Sequence, residues 1–208
     1  MIGVINYGLN NNKSVINALN FIGVPSSIIN DYSQENGSFD KIILPGVGNF
    51  AAGMANLQNR GLDKFIIKNV SSGVPILGIC LGLQLLCETS EEGNSTSGLG
   101  LISGNVRRLP QGIKYLGNKV KIPNVGYRGL VRSIPKPCIP IKIEDEFYFS
   151  HSYYLPRCQY THYTCGFAEH NISAVINKNR IFGAQFHPEK SRSAGLSFLK
   201  AFCFTKYD

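Results

Sequence analysis

A chain of 208 residues that is 43% hydrophobic and 16% charged can bury one core of ordinary size, and its composition excludes disorder as the default. The formal charge of +8 has a local source: Arg107, Arg108, Lys114, Lys119, Lys121, Arg128, Arg132, Lys136 and Lys142 share a segment without one Asp or Glu. Such a tract reads as a solvated face, then as a docking surface for an acidic partner, then as a nucleic-acid footprint; no recognition-helix or RNA-binding signature accompanies it.

Met1 to Asn6 is apolar without a basic leader, so it reads as a first strand and not as a signal peptide. Tyr7 to Asn12 is a turn, and Ser14 onward carries helical spacing (Val15, Ile16, Ala18, Leu19, Ile22) up to Gly23. Ser26 to Asn30 is a second strand, Asp31 to Asp40 a polar loop containing Asn36-Gly37, and Lys41 to Leu44 a third strand entering the turn Pro45-Gly46-Val47-Gly48-Asn49-Phe50. Helices are expected from about Phe50 to Arg60 and Leu62 to Val70. The run Val74 to Gln84 then reads as a buried strand turning into an amphipathic segment that reaches Glu88. It is the longest apolar stretch, too short and too interrupted by glycine to span a bilayer, so the chain is expected in the cytoplasm.

The alternation of strands and helices predicts an α/β fold, a three-layer open sheet, mostly parallel, with flanking helices, in one domain over 1–208. In such sheets function gathers at the carboxyl ends of the strands, where three turns converge: Tyr7-Gly8, Pro45 to Gly48, and the turn at Cys80. After a glycine and serine loop at Glu91 to Gly104, an aromatic strand covers Asp145 to Tyr153. Ile172 to Ile176 and Arg180 to Phe186 pair as a hairpin around Asn177 to Asn179, and a helix runs from about Ala194 to Phe204.

The six cysteines (80, 87, 138, 158, 165 and 203) include no Cys-x-x-Cys pair and no tight His/Cys cluster, so neither a metal nor a cofactor is expected. Cys80 differs from the others because Gly78 and Gly82 flank it two residues away on either side. A crowded strand-to-helix turn forces a nucleophile into a strained backbone and leaves no room for a Cβ at those two positions. At the start of a helix the thiolate is favoured, and the N–H of Leu81 points at a developing oxyanion. Taken alone the stretch reads equally as a buried core thiol.

A thiolate nucleophile needs a proton shuttle, and the candidates are His151, His162, His170 and His187. His187 ends a hairpin strand as Gln185-Phe186-His187-Pro188-Glu189; residues two apart face the same way in extended chain, so Glu189 can hold the imidazole. Taken alone the pair also reads as surface residues at a loop mouth. His162 and His170, in polar loop-like surroundings, carry no expected chemistry.

Gly78-Ile79-Cys80-Leu81-Gly82-Leu83-Gln84 and Gln185-Phe186-His187-Pro188-Glu189 resemble the two signatures of class I (triad) glutamine amidotransferases. Pro45 to Phe50, Ser90-Glu91-Glu92-Gly93, Phe147 to Ser152 and Lys190-Ser191 resemble the glutaminase subunits of imidazole glycerol phosphate synthase. The resemblance implies a flavodoxin-like fold and a reaction in which Cys80 attacks the glutamine side-chain amide, His187 protonates the departing ammonia, and Glu189 orients His187. It further implies an oxyanion hole from Val47, Gly48 and Leu81, in which the Gly46 to Gly48 turn reorients, and a glutamine site from Gly46, Gln84, Glu92, His151 and Ser152. A carboxylate at Glu92 suits an α-ammonium group, while His151 reads equally as a packed strand histidine.

Free ammonia is lost to water, so the resemblance also implies a separate synthase partner: a (β/α)8 cyclase in a heterodimer, yielding imidazole glycerol phosphate and AICAR in histidine biosynthesis. Asn11, Asn124, Tyr127, Arg128 and Lys190 would then belong to the partner-facing surface. The departures fall there. Asn6-Tyr7-Gly8-Leu9-Asn10-Asn11 stands where the family has Asp-Tyr-Gly-x-Gly-Asn, and Pro123-Asn124-Val125-Gly126-Tyr127-Arg128 where it has Pro-His-Met-Gly-Trp-Asn; the chain has no tryptophan. A paralogue feeding ammonia to an N-acetyl sugar amidotransferase of surface polysaccharides is the competing enzymatic reading, and a non-catalytic docking subunit the competing non-enzymatic one.

Overall fold

The computed structural model describes residues 1–32, 39–93, 95–112, 114–115 and 118–206. The first half alternates as expected: β1 (Ile2–Ile5), α1 (Asn12–Phe21), β2 (Ser26–Ile29), β3 (Lys41–Gly46), α2 (Phe50–Asn59), α3 (Leu62–Ser71), β4 (Ile76–Cys80) and α4 (Leu81–Leu85). The second half is mostly strand: β5 (Cys87–Ser90), β6 (Thr96–Ser97), β7 (Ile102–Arg108), β8 (Lys114–Tyr115), β9 (Asn118–Lys119), β10 (Asn124–Gly129), β11 (Val131–Arg132) and β12 (Glu146–His151). There follow β13 (Tyr153–Tyr154), β14 (Thr161–Phe167), β15 (His170–Lys178), β16 (Ile181–Ala184), a 3-10 turn at Pro188–Lys190 and α5 (Arg192–Phe204). The Asn36-Gly37 turn lies outside the described residues.

The main sheet has eight strands in the order β11-β14-β15-β16-β4-β3-β1-β2. From β2 to β16 the pairs are parallel; β15, β14 and β11 continue antiparallel. Successive strand residues face opposite layers. In β3, Ile42 and Leu44 pack with Phe50, Met54, Leu57, Phe65 and Ile66 of α2 and α3. Ile43 packs on the other side with Val15 and Leu19 of α1 and Phe198, Leu199 and Phe202 of α5. The three-layer reading therefore holds, each buried Leu, Ile or Phe contributing about 1.5–3 kcal/mol.

Lys41, at the opposite end of β3 from the Pro45 turn, is buried. Its ammonium donates to the carbonyls of Phe202 (2.6 Å), Cys203 (2.9 Å) and Thr205 (2.6 Å), satisfying the C-terminal carbonyls of α5.

Two sequence expectations need correction. The amphipathic segment expected to reach Glu88 is a five-residue helix, α4, buried all round. The loop from Leu99 to Ile102 stops it by donating its N–H groups to the carbonyls of Leu85, Leu86 and Cys87, where further helical turns would have accepted them. The aromatic strand ends at His151: β12 pairs with β10, whereas β13 pairs with β7 in another sheet, so the chain changes sheets at Ser152. The acid-free basic segment is likewise divided, through β7, the β8–β9 pair, β10 and β11, among four sheets.

Candidate active site

The strand-to-helix turn is as tight as the flanking glycines predict. Cys80 closes β4 and caps α4 with φ 54° and ψ −108°, a conformation non-glycine residues avoid. A Cβ on Gly78 would lie 2.6 Å from the Leu83 nitrogen, and one on Gly82 would run into the Leu44 carbonyl oxygen. The glycines are what allow helix, neighbouring strand and cysteine to coexist.

His187 follows β16 and is fixed through its backbone. Its N–H donates to the Tyr148 carbonyl at 2.8 Å, and its carbonyl accepts from the Ser191 hydroxyl at 2.6 Å. Its ring Nδ1–H donates to Glu189 at 2.9 Å, with both side chains almost fully buried. Burial alone would push the imidazole down. The charge of Cys80, hydrogen bonds with Cys80 and Glu189, and the Glu189 charge together outweigh it and raise the pKa to about 10. The arrangement sets a cysteine beside an imidazolium backed by a carboxylate, able to attack an acyl carbon and protonate the leaving group.

Gln185, part of the histidine signature with no role read from it, turns its amide toward the Cys80 sulfur at 3.8 Å. Gln84 donates to the Gln185 side-chain oxygen (3.2 Å) and the Tyr153 carbonyl (2.8 Å), which leaves its own carbonyl oxygen to meet a ligand. His151 donates from Nδ1 to the Tyr153 carbonyl (2.9 Å) and accepts at Nε2 from the Asn124 amide (3.0 Å). Burial, opposed by that carbonyl and reinforced by the charge of His187, pushes His151 down to about 4, so it is a neutral wall. Asn124 is held in turn by Arg128 at 3.4 Å.

A cavity of about 330 Å³ brings together Val47, Gly48, Cys80, Leu81, Gln84, Glu92, His151, Ser152, His187 and Lys190 of the expected residues, with Pro123, Ser150 and Tyr153 added. Glu92 also accepts the Phe50 N–H at 2.8 Å, which fixes its carboxylate at the start of α2. Gly46 lies behind the lining, and Glu189 stands behind His187. Val47 is in place but its N–H is not aimed at the cysteine: it donates to the Leu9 carbonyl at 2.9 Å.

Of the expected partner-facing residues, Tyr127 and Lys190 meet. The Tyr127 hydroxyl donates to the Lys190 carbonyl at 2.9 Å, and the Tyr127 ring stands edge-on to Tyr148 and beneath Arg192. Asn124 is buried against His151 and Arg128 is exposed. Asn11 is the N-cap of α1, accepting the Ser14 N–H. Tyr7, Ser150 and Gln185 are the residues around the cysteine that the sequence reading missed. The Gln185 signal was available, since it lies in the histidine signature two residues before His187. Among the described residues no three His, Cys, Asp or Glu side chains are grouped to hold a metal ion.

The family model described as glutamine amidotransferase class-I matches residues 3–205. The chain is 43% identical over 204 residues to the imidazole glycerol phosphate synthase subunit HisH of Bacillus velezensis, covering 97% of this chain and 95% of that relative. It is 44% identical over 207 residues to the HisH subunit of Moorella thermoacetica, covering 97% and 93%. Among solved structures, one described as PurLQS from Thermotoga maritima superposes with a TM-score of 0.72 at 18% identity, covering 97% of this chain and 96% of that one. Another, described as a glutamine amidotransferase, gives 0.73 at 17%, covering 97% and 98%. At those identities the structures speak for the fold alone.

Proposed function

Because the chain belongs to the class-I glutamine amidotransferase family, we propose that it is the glutaminase subunit of an imidazole glycerol phosphate synthase, releasing ammonia from glutamine for histidine biosynthesis. The observation that carries the chemistry is the strained Cys80 facing His187 in one cavity, with Glu189 held to that histidine at 2.9 Å. Near-full-length identity to HisH subunits supports this acceptor over the sugar-modifying paralogue.

In this reading the Cys80 thiolate attacks the glutamine amide carbon, and the negative charge moves to its oxygen. The C–N bond then breaks as His187 gives its proton to the departing nitrogen. Water attacks the thioester, His187 takes back a proton, and glutamate leaves with the thiolate restored. Leu81 N–H faces the oxyanion at the start of α4, and Val47 N–H joins it after leaving the Leu9 carbonyl, with Gly48 giving the turn its freedom. Glu92 holds the substrate ammonium, and Gln84, His151 and Ser152, with the Gly46 backbone behind them, line the remainder of the glutamine.

Ammonia passes to a separate synthase partner, a (β/α)8 cyclase in a heterodimer, across the face carrying Asn11, Tyr127, Arg128 and Lys190, with the buried Asn124 held between Arg128 and His151. The enzyme works in the cytoplasm, and among the described residues no helix is long and apolar enough to cross a membrane. Glutamate release should rise at least about tenfold when the cyclase from the same genome and its nucleotide ligand are added. No stimulation, with Cys80 still alkylating readily, would sink the proposed acceptor.

Glu189 is testable by pH. The raised pKa of His187 means its stabilising interactions are fully present below about 6.5 and are lost as pH rises through about 10. In Glu189→Gln the carboxylate's share of that rise disappears, and the imidazolium is lost at lower pH. The expected result is a kcat lowered by about 10² to 10⁴-fold and an alkaline limb displaced toward neutrality. A limb in the wild-type place would exclude Glu189 as the group that orients His187.

A further inference from the structure

With its N–H on the Leu9 carbonyl, Val47 can reach an oxyanion only if the Gly46–Val47 peptide turns over. The N–H and C=O of a trans peptide point in opposite directions, so reversing one reverses the other. As the Val47 N–H swings into the cavity, the Gly46 carbonyl swings toward the Leu9 carbonyl. Two oxygens then face each other where a hydrogen bond had been. A buried carbonyl in that position needs a donor.

Tyr7 is such a donor. It lies just past β1, fully buried, and its hydroxyl has no hydrogen-bond partner among the described residues. That hydroxyl fills the space beside the Gly46 Cα: a Cβ there would collide with it, and would also lie 2.8 Å from Leu81 Cβ and 2.9 Å from the Gly82 nitrogen. Burial, with the charge of Cys80 added, holds the phenol above its ordinary range, so the proton stays on at working pH. A buried hydroxyl without a partner is unfavourable in a resting protein and rare enough to require a reason. A partner that arrives with a movement is such a reason.

We propose that Tyr7 is a positioning residue for the oxyanion hole: its hydroxyl donates to the Gly46 carbonyl once the Gly46–Val47 peptide has turned over, holding the Val47 N–H toward the substrate. The inference rests on the glutaminase reading of this cavity. The bond from the Tyr7 hydroxyl, idle in the resting state, then replaces the one that the Val47 N–H gives up when it leaves the Leu9 carbonyl.

Tyr7→Phe removes that oxygen and leaves the ring. In the complex with the cyclase and its nucleotide ligand, kcat for glutamate release should fall about 10- to 100-fold, with KM for glutamine changing less than about twofold. In the free glutaminase the thermal midpoint should stay level or rise, because the lost hydroxyl had no bond to give up, and Cys80 should alkylate at the wild-type rate. A variant turning over as fast as wild type overturns the inference. So does a fall in kcat accompanied by a lower thermal midpoint, which would make the hydroxyl a packing group. In both cases a wild-type complex that releases glutamate leaves the glutaminase reading standing; a wild-type complex that releases none overturns that reading and the inference with it.

Discussion

Cys80→Ser is expected to lower glutamate release by about 10⁴-fold or more while the protein stays folded. The substitution changes one atom at a residue that is already buried and already tolerated at φ 54°. What changes is the acidity of the nucleophile. The His187 pair is arranged around a thiol, whose proton moves to the imidazole readily; a serine hydroxyl keeps its proton and remains a poor nucleophile. Steady-state glutamate formation by the complex, with a thermal scan of the variant, checks both halves. Undiminished release would overturn the thioester mechanism.

Gly82→Ala is expected to destabilise the protein by about 3 kcal/mol or more, the largest effect on stability foreseen for a single methyl. Its Cβ would meet the Leu44 carbonyl, which belongs to the central strand β3 and cannot rotate aside as a side chain could. Since β3 pairs with β4 from Ile42 to Gly46, relief of the clash would part β3 from the strand that ends in the cysteine. Gly129→Ala is the matched control, a strand glycine with open space around its Cβ position and an expected change within about 0.5 kcal/mol. Urea midpoints for the two variants decide the matter; equal midpoints would mean that the elbow yields more easily than its contacts imply.

The parts of the site that could be read in advance are those encoded over short distances. Gly78, Cys80 and Gly82 are linked by the sterics of one turn, and His187 and Glu189 by their spacing of two, although the contact is made by the 3-10 turn at Pro188–Lys190 and not by the extended chain the spacing suggested. The parts that could not be read depend on which strands lie side by side. The Ser150 carbonyl approaches Cys80 at 3.9 Å because β12 crosses above the elbow, and Tyr7 faces Gly46 because β1 lies next to β3. The alternating first half of the chain was legible because buried parallel strands are short apolar runs. The sheet change at Ser152 was not, because Asp145 to Tyr153 shows no break in its aromatic pattern and the break is made by two different partners, β10 and β7. The length of α4 was hidden for a related reason: loop N–H groups that come from residues thirteen to sixteen positions later, as in Gly100 to Cys87 and Ile102 to Leu86, are what end it.

The cavity holds two histidines whose protonation is fixed in opposite senses, His151 neutral down to about pH 4 and His187 charged up to about pH 10. Between those limits neither ring changes charge, so ordinary swings in the acidity of the surroundings leave both histidines as they are. In the proposed mechanism the part that moves is the Val47 amide, and it is tied to the first loop of the chain through the Leu9 carbonyl.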